Sequence, residues 1–300
     1  MDTTPYYPMS YMLRLASYIE NQSVGFPLSQ EYAALEGATL GKAFEKVFTD
    51  VPNDNDGHTF RSSAIGKHPF LTAWGYFHER EEAAITFSTR FKFLTGYAFE
   101  AAFNVLLRQL EIPFESQRTI AFTLPNFTIS GHPDYIVQDG ENKWILETKC
   151  TNDTTFRQWK KKGEVDRPEY NVQLSMYCLR EQAHGAFVVA NVDTGELALY
   201  PMSYQSIVDK FKERVITALA NLNFIVGCSE WWRTLERIAP PNCPQRKDGT
   251  YYFNVGLYKG KGQLHPAAEI FNYTQRDDGT FEVHGFNYPS SAIQWQPECL

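Results

Sequence analysis

The residues best suited to chemistry stand where a hydrophobic strand should be. The stretch 131–150, GHPDYIVQDGENKWILETKC, sets Asp134, Glu147 and Lys149 among Tyr135, Ile136, Val137, Trp144, Ile145 and Leu146. Unpaired charge in an apolar place is costly, and two neighbouring carboxylates cannot both stay ionised there without compensation. A divalent cation supplies it, and oxygen donors completed by water suit Mg²⁺ or Mn²⁺. Asp134 and Glu147 are the candidate ligands. Glu100 can reach the ion from a preceding helix, and the carbonyl of Thr148 can complete the set. Lys149 lies two residues beyond Glu147 and so points the same way along a strand. It can orient or help deprotonate a metal-bound water and stabilise the charge of a pentavalent phosphorus. In outline this is metal-assisted phosphodiester hydrolysis.

The elements that must position these groups are legible in the periodicity. Residues 131–150 read as a hairpin turning at Asp139-Gly140, a strong turn dipeptide. That turn sets Asp134 opposite Ile145, and a shift of one residue sets Asp134 opposite Glu147. Either register keeps Asp134, Glu147 and Lys149 on one face. Residues 96–111 form an amphipathic helix with Phe99, Phe103, Leu106 and Leu110 as its buried stripe, and Glu100 at the edge of that stripe. A second helix runs over 168–184, from Pro168 to a stop at Gly185, and stacks Gln173 beneath Tyr177 at i, i+4. A hairpin over 186–201 turns at Asp193-Thr194-Gly195, and a helix over 203–226 buries Ile207, Phe211, Val215, Leu219 and Leu222.

Upstream, 8–21 and 28–49 have helical periodicity, with Leu35, Leu40, Phe44 and Phe48 as expected core positions. Ser62 or Ser63 can cap a helix in 61–84, and 249–300 alternates as short strands. The order of helices and strands predicts an α/β fold. We expect an N-terminal, mainly helical region over 1–90, a core over 91–227 and a C-terminal extension over 228–300.

Composition bounds the function classes. The chain of 300 residues has the make-up of a globular protein and a net charge of −7. That total does not exclude nucleic acid, because local patches govern such binding. RQWKKKGEVDR, 157–167, is such a patch directly after the catalytic stretch. No run approaches the ~20 apolar residues of a membrane span, and the N-terminus lacks the pattern of a signal peptide. Five widely spaced cysteines point to a reduced, cytoplasmic compartment.

An isolated D…ExK match is short, and its companions carry the reading. Gly96-xxx-Glu100, Gly131-His-Pro-Asp134, Glu147-Thr-Lys149-Cys and Gln173-xxx-Tyr177 occur in order over about 80 residues. The set resembles the PD-(D/E)xK nuclease superfamily. More closely it resembles the exonuclease branch: RecB-type nuclease domains, lambda-type phage exonucleases and CRISPR-associated iron–sulfur nucleases. The resemblance implies a restriction-endonuclease-like αβββαβ core with a mixed central sheet. It implies a metal held by Glu100, Asp134 and Glu147, Lys149 as the catalytic lysine, and Gln173 with Tyr177 facing phosphate or DNA. It also places Arg157, Lys160 and Lys161 beside the DNA path. From their own positions His132 can contact phosphate or a water beyond the metal's own ligands, and Trp159 and Tyr170 can stack exposed bases if the substrate is single-stranded.

The segment 61–77 resembles the S-x-x-G-x-C-P stretch of the iron–sulfur members, but His68 replaces its cysteine. Cys228, Cys243 and Cys299 are too scattered for the four thiolates of a cluster, so no iron–sulfur cluster is expected. Cys150 and Cys178 read as small buried hydrophobes. The expected activity is that of a metal-dependent deoxyribonuclease acting on DNA ends or single strands. It is of the kind encoded by phages and mobile elements for recombination, repair or DNA degradation, and would work in a host cytoplasm. A recombinase or helicase partner and an oligomeric state both fit it. A structure-specific or restriction-type endonuclease, or a non-catalytic nucleic-acid-binding module, are the alternatives.

Overall fold

A computed structural model describes residues 10–21, 29–48, 59–66, 72, 86–163, 168–227, 271–275 and 281–286. His68, the 51–58 break, residues 228–270 and the cysteines beyond Cys178 lie outside the described residues. The chain divides into two compact units, 1–218 with 298–300, and 219–297. Within the second unit, β9 (Phe271–Gln275) and β10 (Phe281–Phe286) form an antiparallel pair. Among the described residues, no helix is long and apolar enough to cross a membrane.

The first unit is a mixed α/β fold. Its elements run α1 (Tyr11–Glu20), α2 (Gln30–Phe48), β1 (Thr59–Arg61), α3 (Ser62–Ile65) and α4 (Phe87–Gln109). Then come β2 (Glu115–Ser116), β3 (Ile120–Thr123), β4 (Thr128–Gly131), β5 (Tyr135–Asp139) and β6 (Asn142–Thr151). The series continues with α5 (Asp153–Lys162), α6 (Pro168–Glu181), β7 (His184–Asn191) and β8 (Leu197–Met202), followed by α7 (Tyr204–Gly227), whose residues from 219 on are counted with the second unit. One sheet has the order β2-β5-β6-β7-β8, parallel only between β6 and β7, and a smaller sheet has the order β1-β4-β3.

Strand alternation explains which helix covers which face. Tyr135, Val137, Leu146, Ala186 and Val188 pack with Met12, Leu15 and Ile19 of α1 and with Phe103, Leu106 and Leu107 of α4. The intervening residues face the other way, towards α5 and α6. Phe187 meets the Trp159 ring edge-on at 5.3 Å, and Gly185 admits α6 so closely that a Cβ there would lie 2.9 Å from Cys178 Sγ. The stripe expected on α4 is buried at Phe103, Leu106 and Leu110, with Phe99 partly buried. The five apolar positions expected on α7 are all buried.

Several expectations are corrected. The hairpin of β5 and β6 takes the second of the two expected registers, shifted by one residue: it pairs Tyr135 with Leu146 and Asp139 with Asn142, so its turn is Gly140-Glu141 and not Asp139-Gly140. Gly140 has a φ of 63°, the positive φ that a primed hairpin turn needs at its first central position. Asp139 instead caps the first turn of α1, its carboxylate accepting from the N–H of Tyr11 at 2.9 Å and of Met12 at 3.2 Å.

The second helix expected around Gln173 ends at Glu181, where Gln182 takes a φ of 50°, and Gly185 lies inside β7. On α2 the expected core positions are reversed. Leu35 and Phe44 are exposed and Leu40 and Phe48 are half-buried, whereas Glu36 is buried. Asn104 donates to Glu36 at 2.8 Å and Arg108 at 3.3 Å, so this pairing with α4 turns the neighbouring Leu35 outward. Ser62 begins α3 and its side chain is buried; Arg61 holds the N-cap position.

Candidate active site

The site forms where β5 has not yet begun and β6 runs past it. Glu147 and Lys149 share one face of β6, and Asp134 occupies the bend just before Tyr135. On its β5 side β6 has no strand partner at this height; there the N–H of Thr148 donates to Asp134 Oδ2 at 2.7 Å, and the Thr148 hydroxyl donates to the same oxygen at 2.7 Å. Gln117 Nε2 approaches Asp134 Oδ1 at 3.5 Å. The carboxylate thus replaces a backbone partner and is fixed by β6 itself. The strand pattern points to the Thr148 carbonyl alone and gives no hint of Gln117. A threonine next to an acidic strand residue is the one local signal for the hydroxyl bond.

Glu147 is 2% exposed. Its Oε2 accepts from Lys149 Nζ at 3.0 Å, while Oε1 is buried without a hydrogen-bond partner. Burial, opposed by the Lys149 ammonium and reinforced by Asp134, pushes the Glu147 carboxyl up to about 7. Glu100, on α4, reaches about 7 by burial first and by the charge of Asp134 second. Lys149 moves the same way: burial works against its charge, but Glu147 and Asp134 hold its proton affinity well above the ordinary lysine value. For Glu100 and Glu147 burial comes first and the Asp134 charge adds to it, while the Lys149 ammonium is held against its own burial by Glu147 and Asp134.

The structure therefore brings Glu100, Asp134, Glu147 and Lys149 into one electrostatic cluster. It does not close them into a cage. Among the described residues no three His, Cys, Asp or Glu side chains stand at metal-holding spacing. Asp134 is turned onto Thr148 and Glu147 onto Lys149. The donor chemistry nonetheless fits a hard divalent cation. Three carboxyl groups with one ammonium between them, and a buried acceptor oxygen lacking a donor, are what such an ion would suit.

The other expected residues are dispersed. Tyr177 is fully buried, so its ring is no surface contact; its hydroxyl bonds the Ser62 hydroxyl and the Gln173 side chain. Gln173 is half-buried. Trp159 is 2% exposed, packed between Phe187 and Tyr200, and cannot stack a base. Tyr170 is half-buried, and Lys149 Nζ sits 5.1 Å from its ring centroid. It thus serves the lysine. Arg157 is exposed and pairs with Asp153 at 2.8 Å, Lys160 pairs with Glu196, and Lys161 is exposed. His132 is exposed, with Nδ1 at 3.2 Å from the Gln117 carbonyl and 3.3 Å from Thr119 Oγ1. Cys178 is buried and Cys150 half-buried, both free thiols.

No protein-family model matches the chain, and no curated protein matches it by sequence. Among solved structures it is similar to SSO0001 at 16% identity and a TM-score of 0.39, over 61% of this chain and 85% of that one. It is also similar to an alkaline exonuclease (LHK-Exo) from Laribacter hongkongensis at 16% identity and a TM-score of 0.36, over 68% of this chain and 98% of that one. The complex of LHK-Exo with dAMP gives 15% identity and a TM-score of 0.33, over 64% and 97%. At this distance the function must be argued from the chemistry of the site.

Proposed function

We propose that the chain is a divalent-metal-dependent deoxyribonuclease that hydrolyses phosphodiester bonds, working from DNA ends. The observation that carries this is the acid-rich cluster of Glu100, Asp134, Glu147 and Lys149, in which Glu100, Glu147 and Lys149 all have raised proton affinities. A purely structural ion pair would match its groups one to one; this cluster sets three carboxyl groups against one ammonium.

Glu100, Asp134 and Glu147, with the Thr148 carbonyl, would hold Mg²⁺ or Mn²⁺. The bound ion would polarise the phosphoryl oxygens and lower the pKa of water. The protein's own groups divide the remaining work. Thr148 keeps Asp134 in place through two hydrogen bonds. Glu147 and the Tyr170 ring hold the Lys149 ammonium between them. Because those neighbours keep the ammonium protonated, Lys149 acts as a fixed positive charge, not as a base. It stabilises the negative charge that grows on the phosphoryl oxygens as water attacks phosphorus and the bond to the leaving oxygen breaks. Gln173 is the candidate phosphate contact on α6, and Arg157, Lys160, Lys161 and His132 border the approach as surface groups.

A role in recombination, repair or DNA degradation of phage or mobile-element type, with a recombinase or helicase partner, belongs to the same proposal. The test uses Asp134→Ala and Lys149→Ala with labelled linear and closed circular DNA. Both folded variants are expected to lose cleavage. Retained cleavage would refute the site, and circles degraded as fast as linear DNA would refute the preference for ends. Calorimetric Mn²⁺ titration separates an enzyme from a binding module, since no metal binding at all favours the latter.

A further inference from the structure

Ser62 opens α3 with its side chain turned inward and buried. Its hydroxyl makes a short hydrogen bond to the hydroxyl of Tyr177, 115 residues away. Tyr177 in turn bonds the side chain of Gln173, one helical turn earlier on α6. Gly131, the last residue of β4, packs against both hydroxyls. A Cβ there would lie 2.1 Å from Ser62 Oγ and 2.2 Å from the Tyr177 hydroxyl oxygen. The far end of α3 is just as tight, since a Cβ on Gly66 would lie 2.5 Å from Glu169 Cα. Close approach thus fixes α3 to α6 at both ends, and the polar tie between them runs to Gln173.

A buried phenol that bonds on two sides has little freedom. Removing the Ser62 hydroxyl leaves the Tyr177 hydroxyl short of a partner in a place where unmade hydrogen bonds are costly. Tyr177 must then turn or draw Gln173 towards itself, and the amide leaves its resting position. Gly131 lies three residues before Asp134, so the same junction borders the acidic cluster.

We propose that Ser62 is a positioning residue: through the Tyr177 hydroxyl it sets the Gln173 side chain for contact with a DNA backbone phosphate. What Gln173 touches rests on the nuclease reading; how it is held does not. The experiment compares Ser62→Ala, Tyr177→Phe and the double variant. Each single change should raise KM for linear DNA about tenfold and leave kcat within about twofold. The double variant should be no worse than either alone, because one chain of hydrogen bonds is cut in all three. Unchanged KM in both single variants, or effects that multiply in the double variant, would overturn the proposal.

A readout independent of activity comes from the side-chain amide NMR signals of Gln173 in protein labelled with ¹⁵N-glutamine, assigned with Gln173→Glu. These signals should shift in Ser62→Ala and in Tyr177→Phe without metal or DNA. Unshifted signals would overturn the positioning whatever the activity. Shifted signals in a protein that cleaves nothing would remove the nuclease reading and leave the positioning standing. Should Ser62→Ala not fold, Tyr177→Phe carries the same test alone.

Discussion

Glu100→Gln offers the cleanest probe of the acid-rich cluster, because it removes one carboxylate of nearly the same shape. The carboxyl has a proton affinity of about 7 in the fold against an ordinary 4.5, raised first by burial and then by Asp134. At 1.36 kcal/mol per pH unit, that gap is worth about 3 kcal/mol, an upper bound because part of the carboxyl reaches solvent. The sign follows from proton counting. Between pH 4.5 and 7 the folded chain binds more protons at Glu100 than the unfolded chain does, so stability falls as pH rises and the loss is complete above 7. Glutamine cannot titrate. In urea unfolding with a chelator present, Glu100→Gln should match the parent at pH 4.5. At pH 8 it should be more stable by about 2–3 kcal/mol, or about 5–10 °C in Tm. Added Mg²⁺ at pH 8 should then stabilise the parent more than the variant, since binding to the folded state adds by mass action. Parallel stability curves for the two proteins from pH 4.5 to 8 would refute the reasoning. They would mean that the Glu100 carboxyl is solvated and stands apart from Asp134.

Other perturbations have equally definite outcomes. Tyr170→Phe keeps a ring beneath Lys149 and should hold kcat near the parent value, whereas Tyr170→Leu should lower it about two- to fivefold; equal kcat for the two variants would remove the ring from the site. Gly185→Ala adds a Cβ 2.9 Å from Cys178 Sγ and should cost about 1–3 kcal/mol of stability as α6 is pushed off β7, read as a lower urea midpoint. Asp139→Ala removes the acceptor for the first two N–H groups of α1 and should cost about 1 kcal/mol, with faster hydrogen exchange confined to α1. Thr148→Val keeps the shape but deletes the hydroxyl bonded to Asp134; metal affinity measured by calorimetry should fall about tenfold, with little change in Tm.

The chain's local patterns are enough for its elements and its acidic chemistry. The apolar spacing on α4 and α7 marks their buried faces, because a helix repeats its environment every 3.6 residues. Strand alternation puts Glu147 and Lys149 on one face of β6 by itself. What lies beyond local pattern depends on partners far along the chain. The two hairpin registers are equivalent locally, and the observed one leaves Asp139 to cap α1, 128 residues away in sequence. Leu35 has the greater hydrophobicity, yet Glu36 takes the buried position because Asn104 and Arg108 of α4 face it. Trp159 and Tyr177 look like surface contacts at their helical spacing. Phe187 and Tyr200 enclose the first, and the Ser62 hydroxyl claims the second. Periodicity records which side of an element is dry. Which group meets which, and therefore which carboxylates share one cluster and hold their protons, is decided only when distant segments close on one another.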